Sequence, residues 1–339
     1  MNELLKKVSE NIKKNQFFIL LLIALILIIL QIQFIGFKQL LTLWASINLL
    51  FVIFLILCYS VQFLFRAWVW IRISREMNIP LSFFTAYFSI GIGWMVNEIL
   101  PAKLGDLVRI DAVVQNHDIP FGESTASVVF QRLVDLSVVL LIGGFSLLFY
   151  GIKVGSSEMI SESNVFYGFL FGIGLIFVVI CFITFLIKYP SFIKRIASKL
   201  SPKVEKFVSE LIDPFITAIK FIKKPQVLFI KITGLSFSYW LLDILTFYFA
   251  FNAAGISISP FLAIFAGVIT YLIKMFPLTP GGWGIAESVA ALFIYSINST
   301  ITVESTLFVL IMAHAIVFIY SCIFGIIGLW LFSIRKKSL

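Results

Sequence analysis

The chain has very few charged residues for its length. Only 13% of its 339 residues are Asp, Glu, Lys or Arg, whereas 60% are hydrophobic and 16% are aromatic. A soluble globular protein carries roughly 25% charged and about 45–50% apolar residues. The polar residues are therefore too few to coat a water-soluble body of this size, and the many Phe residues exclude intrinsic disorder. The composition predicts an all-α protein that crosses a membrane several times.

The residues of metal sites, disulfide frameworks and common hydrolases are also scarce. The three cysteines, Cys58, Cys181 and Cys322, lie far apart in apolar runs and form no C-x-x-C pair, so we expect no disulfide scaffold and no metal site. Two histidines, His117 and His314, are too few for a zinc site. The sequence has no G-x-S-x-G, H-E-x-x-H or P-loop motif, and we expect neither enzyme activity nor a cofactor.

Long apolar runs predict six membrane-spanning helices, because a helix needs about 20 apolar residues to cross the hydrocarbon. These runs are Phe17–Ile35, Leu43–Phe65, Ser124–Ile152, Val165–Ile187, Gln226–Phe251 and Thr306–Phe332. The net charge of +9 is concentrated between the runs. In a membrane protein such charge is typical of loops that face the cytoplasm and anionic lipid, and it does not indicate nucleic acid.

Basic residues predict which side each loop occupies. Most Lys and Arg lie before the first run, at Arg66–Arg75, at Lys103 and Arg109, at Lys188–Lys224 and at Arg335–Lys337. The positive-inside rule then places all five stretches, and both termini, in the cytoplasm. We expect one transmembrane domain over residues 1–339, located in the cell membrane.

This topology requires residues 81–114 to begin and end on the cytoplasmic side. The second half of the segment carries Lys103, Asp106, Arg109 and Asp111, which lipid would not tolerate. We therefore predict a re-entrant helical hairpin with its tip near Pro101, either buried in protein or lining a wet cavity.

Residues 257–297 predict a second re-entrant hairpin that enters from outside. The sequence Pro277-Leu-Thr-Pro-Gly-Gly-Trp-Gly284 cannot continue a helix, because Pro removes a hydrogen-bond donor and Gly permits tight turns. Two full spans are the alternative. Two opposed hairpins would be expected of an inverted repeat, with a binding site where the repeats meet.

An amphipathic helix is predicted over residues 201–224. Ser201-Pro202 is typical of a helix start, and apolar residues then recur at helical spacing opposite Lys and Glu. This helix would lie on the cytoplasmic membrane surface or, alternatively, pack against the bundle.

Ionisable residues gather around the two predicted breaks, where a transporter exposes half-helix ends to a charged ligand. Lys103 and Arg109 could hold a phosphate, Arg through a bidentate fork and Lys as a point charge. A surface pair between Asp106 and Arg109 is the alternative. The candidate substrate-binding residues are Asn97, Glu98, Lys103, Asp106, Arg109, Asp111, Arg132, Asp135, Lys274, Thr279, Gly281, Gly282 and Glu287.

Ionisable residues also lie inside predicted spans. Arg132 and Asp135 are one helical turn apart, so they either pair with each other or face the charges of the first hairpin. Asp243, inside the run Gln226–Phe251, is a weaker candidate for a functional role. We expect His314 to make a hydrogen-bonded contact between helices rather than to relay protons.

Three sequence elements together resemble a known family. They are Asn97-Glu-Ile-Leu-Pro-Ala-Lys-Leu-Gly-Asp-Leu-Val-Arg109, Gln131-Arg-Leu-Val-Asp135 and Pro277-Leu-Thr-Pro-Gly-Gly-Trp-Gly-Ile-Ala-Glu287. The chain resembles the flippase-like family that shares the transmembrane domain of lysylphosphatidylglycerol synthases. Gln131 departs from the family, which usually has an acidic residue there. The resemblance implies movement of a lipid between leaflets or handling of polyprenyl-linked sugars. It does not imply aminoacylation, because the synthase's transferase half has no counterpart in this sequence.

We expect a lipid transporter of flippase type. Its partners would be membrane lipids, anionic or polyprenyl-phosphate, whose head group enters a polar cavity while the tails stay in the bilayer. A secondary transporter for a small soluble anion is one alternative. The other is an integral-membrane enzyme that acts on lipid phosphate with Glu98, Asp106 and Asp111 as acid and base groups.

The predicted topology can be tested with single cysteines in a cysteine-free chain. A cysteine at Gln115 or Asn116 should react only with a reagent added to the cytoplasmic side. A cysteine within Gly255–Ser257 or Asn298–Val303 should react only from outside. External labelling at Gln115 would rule out the first hairpin.

Overall fold

The computed structural model describes residues 14–100, 104–117, 121–154, 188–202, 226–275 and 278–337, with isolated positions between 177 and 216. This part of the chain forms eleven α-helices and one short 3-10 turn, without any strand, which confirms the all-α prediction. The helices are α1 (Lys14–Ile35), α2 (Phe37–Ala45), α3 (Leu49–Glu76), α4 (Phe83–Ile99), α5 (Gly105–His117), α6 (Phe121–Val154), α7 (Pro190–Leu200), α8 (Gln226–Ala253), α9 (Pro260–Lys274), α10 (Ile285–Ile297) and α11 (Val303–Lys337).

Four of the described helices are long and apolar enough to cross a membrane: α3, α6, α8 and α11. Helices α1 and α2 form a fifth candidate together, although the chain bends by 82° between them. Large apolar side chains on the long helices are exposed, among them Leu49 at 71% and Ile326 at 59%. Such surfaces are typical of contact with lipid, and the protein is a multi-pass membrane protein. The predicted span Val165–Ile187 and most of residues 201–224 lie outside the described residues.

The structure corrects both ends of the predicted second span. The apolar run Leu43–Phe65 is interrupted before α3, because the side chain of Asn48 accepts a hydrogen bond from the Leu50 N–H (3.0 Å) and its own N–H donates to the Ala253 carbonyl (2.8 Å). At the other end α3 continues to Glu76. The stretch Arg66–Arg75, predicted to be a cytoplasmic loop, is therefore helical, and Arg66 is only 2% exposed.

Helices α4 and α5 are short and pack against each other. They contain 17 and 13 residues, and at about 1.5 Å per residue neither spans a hydrocarbon core of about 30 Å. The N–H of Gly105, at the start of α5, donates to the side-chain oxygen of Asn97 near the end of α4 (2.8 Å). A Cβ on Gly105 would lie 1.8 Å from the Gly93 carbonyl oxygen, so only glycine permits this approach.

Helices α9 and α10 form a second short pair of 15 and 13 residues. The break between them contains the 3-10 turn Pro280–Gly282, in which Gly281 has a φ of +60°. A Cβ on Gly281 would lie 2.8 Å from the carbonyl oxygen of Glu98. The two breaks therefore meet, as the sequence predicted.

Two apolar cores hold the bundle together. One surrounds Trp70 and Trp240 where α3, α6 and α8 meet, and the other surrounds Phe251 and Phe308 where α8, α9, α10 and α11 meet. Helix α11 also packs tightly on α4, since a Cβ on Gly325 would lie 2.5 Å from the Met95 Cβ. Both broken pairs are thus fixed against the long helices.

We predict that Gly105→Ala lowers the free energy of unfolding by about 1–3 kcal/mol, because the new methyl group must push α5 away from the α4 backbone. Thermal unfolding of the detergent-solubilised protein measures the effect. Gly234→Ala on α8 is the matched control, since a Cβ there meets nothing within 4 Å. Equal stability of the two variants would contradict the close packing.

Candidate functional site

Ionisable side chains from eight helices meet inside the bundle in two neighbouring clusters. The central cluster consists of Glu98 (α4), Lys274 (α9), Glu287 (α10) and His314 (α11). The arginine cluster consists of Arg66 (α3), Asp106 and Arg109 (α5), Arg132 and Asp135 (α6), and Asp243 (α8).

His314 is the hub of the central cluster. Its Nδ1 contacts a carboxylate oxygen of Glu287, and its Nε2 lies 2.9 Å from Glu98 Oε2. The Nζ of Lys274 lies 2.8 Å from the same Nε2 and 4.0 Å from Glu98 Oε1. The indole of Trp283 stacks on the imidazole with ring centres 3.8 Å apart. Four side chains therefore fix the ring. Three of them come from α4, α9 and α10, and the fourth is Trp283 in the second break.

The second break brings Glu287 and Lys274 to this hub. Glu287 Oε2 accepts a hydrogen bond from the Gly284 N–H (2.7 Å) at the start of α10, where backbone N–H groups lack helical partners. Thr279 closes the turn by donating to the Trp283 carbonyl (2.9 Å). A side chain at Gly282 would collide with Lys274, since a Cβ there would lie 2.7 Å from its Cγ.

The arginine cluster is tightly paired. Arg132 forms two hydrogen bonds with Asp106 (2.9 and 2.7 Å) and a third with Asp135 (3.3 Å). Both alternatives predicted for Arg132 and Asp135 therefore occur, because Arg132 binds Asp135 and also reaches Asp106 on α5. Asp135 also accepts a hydrogen bond from the Tyr239 hydroxyl. These bonds tie α5, α6 and α8 together.

Arg66 is the member of this cluster that the sequence did not reveal. Its guanidinium binds Asp243 (3.0 Å) and lies 3.9 Å from Asp135. It also faces the rings of Trp94, Tyr239 and Trp240 at 4.4–4.8 Å. A desolvated cation between aromatic faces gains about 2 kcal/mol or more per contact, so this arginine is a cross-link between α3, α4 and α8.

Arg109 is more deeply buried than a residue in a surface ion pair would be. It is 3% exposed, its guanidinium lies 4.4 Å from the Trp70 ring, and it donates to Gln131 (3.1 Å). Gln131 thus supplies a neutral acceptor. Asp106 is 4.0 Å away. The surface-pair alternative is therefore wrong.

Asp111 and Lys103 were also predicted to bind substrate. Asp111 accepts a hydrogen bond from Gln115 on its own helix (2.7 Å). Lys103 lies outside the described residues.

A pocket opens beside the central cluster. All four members of that cluster line it, together with Asp243, and aromatic rings of Tyr59, Trp94 and Trp240 form part of its wall. Its interior offers about 70 Å³ to water-sized molecules, which is room for a few waters or a small polar group. The pocket is where a ligand can reach the buried charges.

The position of His314 in the sequence indicates a functional role. It is the only Asp, Glu, Lys, Arg or His residue in the apolar run Thr306–Phe332, and an isolated ionisable residue inside a span generally marks a functional site. Arg66 gave no such signal, because it stands at the boundary of a basic stretch.

Comparison with known proteins identifies the family of the chain. A family profile described as the lysylphosphatidylglycerol synthase TM region matches residues 17–332. The chain belongs to this family. The profile includes both breaks and every residue of the two clusters, so the site lies wholly within the shared domain.

Several curated proteins are similar to the chain. One UPF0104 membrane protein of Methanocaldococcus jannaschii is 27% identical over 68% of this chain and 92% of its own length. A second UPF0104 membrane protein of that organism is 23% identical over 85% of this chain and 87% of its own length. Glycosyltransferase AglD of Haloferax volcanii is 22% identical over 65% of this chain, but the match covers only 39% of AglD. No solved structure matches the chain.

Removing Arg66 should destabilise the fold strongly. We predict that Arg66→Met lowers the free energy of unfolding by about 3–5 kcal/mol, because Asp243 is left as a buried charge without its cation. Adding Asp243→Asn should recover part of the loss. Thermal unfolding in detergent measures both.

The matched control is Arg72→Met, also on α3 but exposed, for which we expect a change within about 0.5 kcal/mol. If Arg66→Met were no less stable than this control, the ion pair with Asp243 would not contribute.

Proposed function

We propose that the protein moves a phosphate-bearing lipid between the two leaflets and does not act as an enzyme. The observation that carries the proposal is the central cluster, where buried ionisable side chains line a pocket at the meeting point of two broken helix pairs. Transporters commonly bind a charged substrate where discontinuous helices meet.

In this proposal α4–α5 and α9–α10 are re-entrant hairpins that enter from opposite sides as an inverted repeat. Two properties support it: each of the four helices is too short to cross alone, and the breaks touch at Gly281 and Glu98. Non-helical backbone at membrane depth is tolerated only where protein or a wet cavity surrounds it. Both termini and residues 81 and 114 would then lie in the cytoplasm.

Lys274 is the proposed partner of the substrate phosphate. Its side chain is 16% exposed and lines the pocket, and an ammonium group binds phosphate as a point charge. The nearby start of α10 adds a favourable dipole for an anion. The arginine cluster would hold the scaffold in place while the head group occupies the pocket.

The pocket implies a second conformation for transport. A space of about 70 Å³ is too small for a complete lipid head group. The two broken pairs would therefore separate to admit the head group from one side, close around it, and open to the other side, while the tails stay in lipid. Such rocking about a fixed site is common in transporters built from repeats.

The comparisons support a lipid substrate. The family is described by a synthase whose product name denotes a phospholipid. One relative is named as a glycosyltransferase. A polyprenyl-linked sugar, which also carries phosphate, is therefore a second candidate for the lipid substrate.

A small soluble anion is the second candidate substrate, because the pocket has the size of such an ion. The enzyme alternative has less support, since Asp106 and Asp111 do not line the pocket. Of the three carboxylates that the enzyme alternative requires, only Glu98 lines the pocket.

We predict that Lys274→Gln slows lipid movement at least about tenfold, since a hydrogen bond to a charged group contributes about 1.5–3 kcal/mol. The assay uses vesicles reconstituted with the protein and a panel of fluorescent phospholipids, read by chemical quenching of the outer leaflet. Lys274→Arg keeps the charge and should retain more activity than Lys274→Gln.

Lys231→Gln is the matched control, because Lys231 is exposed on α8, and it should flip lipid at the unmutated rate. Equal rates for Lys274→Gln and this control would contradict the assigned role. Uptake of inorganic phosphate without movement of any lipid would favour the second candidate.

A further inference from the structure

The imidazole of His314 has neighbours that no single protonation state satisfies. A neutral imidazole has one N–H donor and one acceptor nitrogen. Since Nδ1 faces a carboxylate of Glu287, that nitrogen carries the hydrogen. The other nitrogen, Nε2, then accepts from the ammonium of Lys274 at 2.8 Å. However, a carboxylate oxygen of Glu98 lies 2.9 Å from the same Nε2 and requires a donor there.

Nε2 therefore has two alternative partners with opposite requirements. Without a proton it satisfies Lys274, and with a proton it satisfies Glu98. The distances to the two partners are nearly equal, so neither state is favoured by proximity alone. This is the geometry of a site that gains and loses one proton.

Three other ionisable groups in the described part of the chain line the same pocket: Tyr59 of α3, Asp243 of α8 and Tyr271 of α9. The Tyr59 hydroxyl is hydrogen-bonded to Ser321, Asp243 is paired with Arg66, and the Tyr271 ring packs on Trp240 with ring centres 4.1 Å apart. Helix α1 contributes only the neutral Gln31, which bonds to Gly284 and Ser288. The groups that respond to a proton on His314 are thus Glu98, Lys274 and Glu287.

We propose that the central cluster is a proton-binding site and that a proton on His314 Nε2 crosses the membrane together with the substrate phosphate. The coupling rests on the proposed function. When a phosphate takes the ammonium of Lys274 as its partner, Nε2 loses its donor and forms an N–H bond with a proton from hydronium, which is left in the pocket as water. That N–H then donates to Glu98. On release the N–H bond breaks, the proton returns to water on the other side, and Lys274 again donates to Nε2.

The proton site can be tested separately from transport, because the chain has only two histidines. In His117→Gln, His314 is the only histidine, and its ring nitrogens can be followed by 15N NMR in lipid nanodiscs. We expect the 15N signals to show a neutral ring and a doubly protonated ring at the two ends of a pH series. We also expect Glu98→Gln, which removes one carboxylate that stabilises the imidazolium, to reduce the protonated fraction at a given pH. A ring that keeps one state throughout the series would overturn the proposal.

The coupling is tested in vesicles containing a fluorescent phosphatidylglycerol and an imposed pH gradient. One coupled proton shifts the leaflet distribution of the lipid by up to about tenfold per pH unit. We expect this shift with the unmutated protein and with His117→Gln, and its loss in His314→Gln. Lipid movement that ignores the gradient would overturn the coupling and leave the lipid transporter intact. No lipid movement, with a titrating His314, would overturn the proposed function and leave the proton site.

Discussion

Charge buried in an apolar bundle must find opposite charge or a hydrogen-bond partner, and this constraint determines how the helices are arranged. Lipid offers no compensation, so ionisable groups inside the membrane generally pair with one another or with backbone groups. Arg132 therefore reaches Asp106, and Glu98 reaches His314 and Lys274. These pairs force the two broken helix pairs together at the centre of the protein.

The two clusters meet the constraint in different ways. Each arginine of the arginine cluster lies within 4.0 Å of an aspartate, which favours a fixed scaffold. In the central cluster, His314 Nε2 has two partners with opposite requirements, and the cluster borders a pocket with room for water. A substrate or a proton can therefore change the second cluster without dismantling the first. The proposed transport depends on this separation between a rigid part and a responsive part.

Local patterns were sufficient to predict much of this architecture. Apolar runs predicted α6, α8 and α11, and the Pro-Gly sequences predicted both breaks. The pairing of Arg132 with the first hairpin followed from the cost of isolated charge. Arg66 and the boundaries of α3 were missed for a common reason: they depend on contacts with residues distant in the sequence. Asp243 is 177 residues from Arg66, and Ala253 binds the N–H of Asn48. The sequence predicted only a hydrogen-bonded helix contact for His314. The carboxylates on both sides of its ring belong to other helices, so their proximity is not visible in the local sequence.

The central claim is that a lipid phosphate enters the pocket between the two breaks. It is tested most directly by photo-crosslinking the unmutated protein in vesicles with a phospholipid that carries a photoactivatable group beside its phosphate. Mass spectrometry then locates the adducts. We predict adducts on peptides that contain Lys274, Glu287 or His314, suppressed by excess unlabelled lipid. Adducts confined to the exposed outer positions, such as Leu49 and Ile326, would contradict the account.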